Sequence, residues 1–143
     1  MRSTAILKGT ENEYYRATYK SMGFSSDDMK DRPLIGIANA WSECVPGHYN
    51  LRQVAEKVKA GIYRAGGTPV EFGVMGGCDG IAQGQIGMHY ILPSRELIAS
   101  SVESMAQINL FDGLVLLGSC DKIVPGMLMA AARLDIPCIL LPG

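Results

Sequence analysis

Two short segments of this 143-residue chain place a thiol beside a carboxylate. Cys120, Asp121 and Lys122 are consecutive, and Cys78 is followed directly by Asp79. Hard cations such as Mg²⁺ prefer carboxylate oxygens, whereas thiolate sulfur prefers iron, zinc or copper. The repeated pairing suggests two inorganic centres side by side. Taken alone, the segment at Cys120 fits equally well with a buried cysteine beside a surface Asp–Lys pair.

A histidine and a further cysteine precede the first strong helical pattern. His48 follows Pro46-Gly47, where an imidazole can serve as an acid or base or bind an anion with the helix N-terminus. A structural hydrogen bond is the commoner role of a single loop histidine, and it is the interpretation we favour. Cys44 lies in the same segment and, like Cys138, is either a small buried hydrophobe or a ligand of a soft metal. No C-x-x-C pair and no phosphate-binding glycine motif occurs, which argues against a zinc ribbon and a nucleotide site.

The elements that must position these residues follow from the apolar pattern. Four short apolar runs are bounded by Gly, Pro or Asp, as is typical of strands buried on both faces: 34–38, 69–74, 114–117 and 138–141. Helical patterns separate them. The alternation predicts an α/β fold, a parallel sheet of about four strands with helices on both faces.

The helix boundaries are predicted from capping residues. Asn50 and Gln53 resemble a capping box at the start of the first helix, and Gly66 ends it. The second helix is expected to begin near Pro93. The third has Pro125 in its first turn and is apolar on nearly every side, so we expect it to be buried, against another domain or subunit if not within this one.

In an open parallel sheet, ligands bind beyond the carboxyl ends of the strands. The segments that follow the first three predicted strands are 39–48, 75–85 and 118–126. These segments hold three of the four cysteines, both Asp–Cys pairs and one histidine. We therefore expect the chemically competent residues to meet at one edge of the sheet.

Composition narrows the class of protein. The chain has 13 Lys and Arg against 14 Asp and Glu, a formal charge of −1. It therefore lacks the excess of basic residues that is typical of nucleic-acid-binding proteins. Its apolar runs are too short to span a membrane, and its N-terminus lacks the apolar core of a signal peptide, so we expect a cytoplasmic protein. Residues 1–32 form a polar, partly helical extension, and residues 33–143 form the α/β domain.

Four motifs together resemble one enzyme family. They are C-D-K-I-V-P-G-M at 120–127, C-D-G-I-A-Q-G at 78–84, L-P-S-R-E at 92–96 and V-P-G-H at 45–48. This combination is similar to the dihydroxy-acid dehydratase / phosphogluconate dehydratase family. The resemblance is good over residues 33–143 and loose before them.

The resemblance implies an activity and its cofactors. Members of the family are hydro-lyases that convert a 2,3-dihydroxy carboxylate or sugar acid to a 2-keto acid, with an iron–sulfur cluster, [2Fe-2S] or [4Fe-4S], and Mg²⁺. By similarity, Cys120 would be a cluster ligand, and Asp79, Asp121 and Lys122, the last as its carbamate, would bind Mg²⁺. Lys122 and His48 are the candidates in this chain for a direct part in catalysis.

The chain departs from the family at one ligand position. Many members carry a cluster cysteine where this chain has Gly47. Cys44 and Cys78 are candidates to replace it, although neither occupies that position. Cys78 favours the phosphogluconate branch, whereas Pro46-Gly47-His48 favours the branched-chain amino-acid branch. We favour dihydroxy-acid dehydratase.

The length implies a part of a larger architecture. Family members have several hundred residues, so we interpret the chain as an N-terminal portion that lacks a second domain, further ligands and the base that removes the C2 proton. We expect it to be inactive by itself, to act on a small-molecule substrate and to form a homo-oligomer such as a dimer. The alternative is a stand-alone α/β module that binds a metal or a partner without catalysis.

Overall fold

A four-stranded, wholly parallel sheet organises the chain, as the sequence predicts. The computed structural model describes all residues from 1 to 143. The strands are β1 Leu34–Asn39, β2 Thr68–Gly73, β3 Gly113–Gly118 and β4 Cys138–Pro142, in the order β2-β1-β3-β4. Because β1 and β3 lie in the middle, the segments that follow them emerge side by side at the carboxyl edge.

Helices cover both faces of the sheet. They are α1 Thr4–Leu7, α2 Glu13–Ser21, α3 Ser26–Met29, α4 Leu51–Arg64, α5 Asp79–Ala82, α6 Met88–Ile108 and α7 Ile123–Leu134, with a 3₁₀ turn at Thr10–Asn12. On one face Ala55 of α4 packs against Ile37 and Leu117. On the other face α6 and α7 pack against alternate strand residues such as Ala38. Successive strand residues point to opposite faces of the sheet, and both faces are apolar. The strands therefore appear in the sequence as unbroken apolar runs. No helix combines the length and the apolarity needed to cross a membrane.

The predicted ends of α4 are correct, but its predicted capping box is not formed. Gly66 ends the helix with a φ of +83°, as expected. At the other end the Asn50 side chain accepts no capping hydrogen bond. The backbone of Asn50 is already close to helical, with φ −94° and ψ −7°, whereas a capping side chain needs an extended backbone to reach the following amides.

The start of α6 differs from the prediction. The helix begins at Met88, and Pro93 lies inside it. A proline in a helix interior removes one hydrogen bond and crowds the preceding turn. Here the ring lies on the exposed side, and the Ser94 hydroxyl donates to the Ile91 carbonyl at 2.6 Å beside it. Pro93 is therefore not a start signal here, because the helix extends through it.

Helix α7 is buried along one side within this chain, and burial of its other side against another domain or subunit stays a prediction. Ile123, Met127 and Ala130 are fully buried, whereas Leu128 is 49% exposed. The adjacent edge strand β4 is also open, since Ile139 is 67% exposed. Two apolar surfaces of the chain are therefore uncovered.

The N-terminal residues pack onto the domain. Leu7, Tyr19 and Met29 belong to the same apolar core as the inner strands. Ser25 caps α3 and forms a capping box with Asp28. The boundary between an extension and a domain near residue 32 stays a prediction.

Candidate functional site at the carboxyl edge of the sheet

Three loops leave the sheet at one level and meet at its carboxyl edge. The register pairs Asn39 of β1 with Gly73 of β2 and with Leu117 of β3. Backbone hydrogen bonds extend this pairing beyond the strands, because Ala40 donates to Leu117 and Val74 donates to Asn39. The segments after β1, β2 and β3 are thereby held against one another, and the predicted site residues lie on them.

Two carboxylates and one amine converge there. The Nζ of Lys122 lies 2.7 Å from Oδ2 of Asp121 and 3.4 Å from Oδ2 of Asp79. The hydrogen bond from Lys122 holds the pKa of Asp121 below its usual value, and the same contact raises the pKa of Lys122. Asp79 and Asp121 are therefore neighbours in space, although 42 positions separate them in the sequence.

Two thiols lie beside this cluster. Burial raises the pKa of the Cys120 thiol, and the negative charges of Cys78, Asp79 and Asp121 raise it further. Each thiol directly precedes one of the two carboxylates that meet at Lys122. The structure thus brings together the two Cys–Asp pairs that the sequence singles out.

The other two cysteines are elsewhere. Cys138 is the first residue of β4 and so lies at the opposite, amino edge of the sheet, where burial raises its pKa. Cys44 is exposed on the loop before α4. All four cysteines are free thiols. Cys44 as a cluster ligand stays a prediction.

His48 is buried at the centre of the three loops. Its side chain has no exposed surface. The Ser119 backbone N–H donates to its Nε2 at 2.9 Å, and the Ser119 carbonyl oxygen lies 3.1 Å from the same nitrogen. Its Nδ1 is buried without a partner. This contact is the structural hydrogen bond that the sequence favours, and a role of His48 in proton transfer stays a prediction.

Two glycines allow the loops to approach this closely. A Cβ atom at Gly76 would lie 2.8 Å from Nδ1 of His48, and a Cβ atom at Gly47 would lie 2.6 Å from Oγ of Ser119. Both distances are shorter than non-bonded contacts permit. Position 47 consequently faces the segment that carries Cys120.

A charged network beside the site escapes the sequence analysis. The Asn39 amide donates to Oε1 of Glu71 at 2.7 Å, and Lys59 of α4 pairs with the same carboxylate. Burial alone would raise the pKa of Glu71, but the hydrogen bonds from Lys59 and Asn39 outweigh it and hold the pKa below its usual value. The one available signal is that Glu71 is the only charge in an otherwise apolar strand.

Comparison with known proteins now identifies the family. Residues 32–143 match the family model described as dihydroxy-acid/6-phosphogluconate dehydratase N-terminal. The chain belongs to this family. It is 57% identical over its whole length to the dihydroxy-acid dehydratase of Pyrococcus furiosus, and 57% identical to that of Acetivibrio thermocellus. A dihydroxy-acid dehydratase of Clostridium pasteurianum is 54% identical.

The chain spans only part of these dehydratases. It covers 26% of the P. furiosus and A. thermocellus proteins and 50% of the C. pasteurianum protein.

The donor atoms at the edge fit the inorganic groups that the dehydratase family implies, but only in part. Asp79 and Asp121 offer the carboxylate oxygens that Mg²⁺ prefers, with the Lys122 amine between them. Cys120 and Cys78 offer two sulfur atoms beside them. No three His, Cys, Asp or Glu side chains in the chain are grouped to hold a metal ion. The edge thus supplies some ligands of each kind and a complete set of neither.

Proposed function

We propose that this chain is the N-terminal part of a dihydroxy-acid dehydratase, a hydro-lyase that converts a 2,3-dihydroxy carboxylate to a 2-keto acid. The pathway would be branched-chain amino-acid biosynthesis in the cytoplasm. The identity of more than half of all residues with proteins of that name supports the assignment. The convergence of Asp79 and Asp121 on Lys122, next to Cys120, is the single structural observation that carries it.

In this proposal the residues at the edge divide by donor type. Cys120, with Cys78 as a candidate second ligand, would hold an iron–sulfur cluster. Asp79, Asp121 and the carbamate of Lys122 would hold Mg²⁺. When bound, these groups supply Lewis acidity that stabilises the negative charge developing on the departing hydroxyl.

The chain's own contribution is to fix the separation of the two donor sets. Because Cys120 and Asp121 are adjacent, one rigid loop sets the position of a sulfur ligand relative to an oxygen ligand. Asp79 enters from the neighbouring loop and is held by the same lysine. A dihydroxy acid bound here would present its two hydroxyl groups to neighbouring centres, as elimination of water requires.

We further propose that the chain by itself does not turn over substrate. It spans about a quarter of the P. furiosus dehydratase, and the ligand sets in it are incomplete. The missing donors, the base that removes the C2 proton and the second domain would come from the rest of the architecture, which would act as a homodimer. Turnover of 2,3-dihydroxyisovalerate by the reconstituted chain alone would contradict this.

The ligand assignment is tested by anaerobic reconstitution of the chain with iron and sulfide. Thiolate-bound iron gives sulfur-to-iron charge-transfer absorption in the visible range, and Cys120→Ser should abolish it. Cys138→Ser is the matched control, because Cys138 lies at the opposite edge and should leave the absorption unchanged. Equal absorption from wild type and Cys120→Ser would overturn the assignment of Cys120, and no absorption from either protein would favour a module without a cluster.

The family description names a second substrate class, the 6-phosphogluconate type. The discriminating assay fuses this chain to the remainder of a related dehydratase and offers both substrates. Turnover of 2,3-dihydroxyisovalerate in preference to 6-phosphogluconate is expected. The reverse preference would assign the chain to the sugar-acid branch.

A further inference from the structure

The backbone of Cys120 adopts a conformation that L-residues rarely take. Its φ is +70°, in the left-handed region. For a residue with a Cβ atom this conformation is strained, and it persists where the surroundings impose it. The direction of the Cys120 side chain depends on this φ, so whatever holds the backbone also aims the sulfur.

Contacts on both sides of Cys120 fix this conformation. On the following side, the Val124 N–H donates to the Cys120 carbonyl at 3.2 Å, a contact local to the start of α7. On the preceding side, the Ser119 N–H donates to Nε2 of His48 at 2.9 Å. That second contact joins residues 71 positions apart and is the only side-chain hydrogen bond between the loop after β1 and the loop after β3.

Both backbone groups of Ser119 lie beside Nε2 of His48, and the N–H is the closer, at 2.9 Å against 3.1 Å for the carbonyl oxygen. When that N–H donates to Nε2, the proton of the neutral ring lies on Nδ1. Nδ1 has no hydrogen-bond partner and lies against Gly76. The ring is fully buried among the three loops, so it has no open path to a substrate in this chain.

We propose that His48 is a positioning residue that locks the Ser119–Cys120 turn and so aims the Cys120 sulfur at the edge where Cys78, Asp79 and Asp121 lie. The relevance of this tether to catalysis rests on the proposed function. The tether itself is a property of the cofactor-free chain and is tested there.

The test compares two substitutions at His48. In His48→Gln the Oε1 atom can lie near the place of Nε2 and accept from Ser119, whereas His48→Leu keeps an apolar bulk and has no acceptor. Tyr49→Phe is the control, because Tyr49 is 68% exposed on the same loop. Two quantities are measured in the 143-residue chain: hydrogen exchange of the Ser119 amide, and alkylation of Cys120 by iodoacetamide relative to Cys138 in the same molecules.

His48→Leu should accelerate exchange of the Ser119 amide about tenfold, the effect of losing one hydrogen bond. It should also change the ratio of Cys120 to Cys138 alkylation several-fold. His48→Gln and Tyr49→Phe should leave both quantities near the wild-type values. A merely space-filling role of His48 predicts the opposite order, with Leu tolerated at least as well as Gln, and that result would overturn the proposal.

The alkylation of Cys138 reports a general loss of structure. If His48→Leu accelerates alkylation of Cys138 as much as that of Cys120, the result for His48→Gln decides the test. Wild-type exchange at Ser119 in His48→Gln then supports the tether, and fast exchange with Cys138 still protected refutes it. A tether that passes these tests in a chain that forms no cluster would count against the proposed function and not against the tether.

Discussion

The two edges of the sheet use the same side chain for different purposes. At the amino edge, Asp112 accepts hydrogen bonds from the Ser3 backbone N–H at 3.1 Å, the Ser3 hydroxyl at 2.6 Å and the Leu34 N–H at 2.9 Å. At the carboxyl edge, Asp79 and Asp121 share the ammonium group of Lys122. The first carboxylate joins the N-terminal segment to the sheet, and the other two stay open to a further cation.

The donors that face a carboxylate decide between these roles. Backbone N–H groups are fixed in place and occupy the oxygens of Asp112. A single flexible lysine leaves the remaining lone pairs of Asp79 and Asp121 accessible, and Asp121 is exposed. The cysteines show the same contrast. Burial alone raises the pKa of Cys138, whereas burial and the neighbouring Cys78, Asp79 and Asp121 raise the pKa of Cys120.

The largest effect is expected from removing the amino-edge carboxylate. Asp112→Ala leaves three donors without an acceptor in a partly buried place, so it should lower the free energy of unfolding by about 2 to 3 kcal/mol. Asp121→Ala should leave that free energy unchanged. Urea denaturation of both variants measures the contrast, and equal losses would show that the two edges do not differ in this way.

An intermediate effect is expected from adding one carbon where the loops meet. Gly76→Ala places a Cβ atom 2.8 Å from Nδ1 of His48 and should cost about 1 to 3 kcal/mol. Gly61→Ala is the control in α4, where nothing lies within 4 Å of the new atom. It should stabilise the chain by up to about 1 kcal/mol, since alanine favours the helix. The same denaturation experiment checks both, and a neutral Gly76→Ala would show that the loops can separate freely.

The smallest effect on the free energy of unfolding is expected from the ion pair of Glu71 and Lys59 beside the site, and it depends on pH. Because the folded-state pKa of Glu71 is lowered, its contribution is fully present above the unfolded value near 4.5 and is lost as the pH falls through the folded value. Lys59, whose pKa is raised, contributes below its usual 10.5 and loses its contribution as the pH rises through the folded value.

Glu71→Gln should therefore lower the free energy of unfolding by about 1 kcal/mol at neutral pH and by progressively less in acid below pH 4.5. Thermal denaturation of wild type and variant across the acid range measures the difference. Glu56→Gln is the matched control, because Glu56 pairs with the same lysine but is 65% exposed. A difference between wild type and Glu71→Gln that does not vary with pH would refute the assignment to this ion pair.

Local patterns were sufficient for the strands and for the edge at which the chemistry lies. The apolar runs located all four strands, because both sides of each inner strand are covered. They failed at the start of α6, since the local cost of a proline inside a helix is outweighed there by the packing of Ile98 and Val102 in the core, which is a property of the folded chain. They failed likewise at Asn50, whose capping ability depends on a backbone angle set by the preceding turn.

The apolar pattern of the sequence is sufficient to predict the alternation of strands and helices. The two Cys–Asp pairs and their neighbouring motifs are sufficient to indicate the family. Folding alone brings about three further contacts: Lys122 lies between two carboxylates from different loops, Ser119 bonds to His48, and Asp112 accepts from two backbone N–H groups and the Ser3 hydroxyl. Each of these contacts joins residues more than forty positions apart, apart from the adjacent pair Asp121–Lys122. Periodicity records only which face a residue occupies, whereas these contacts depend on which strands become neighbours in the sheet.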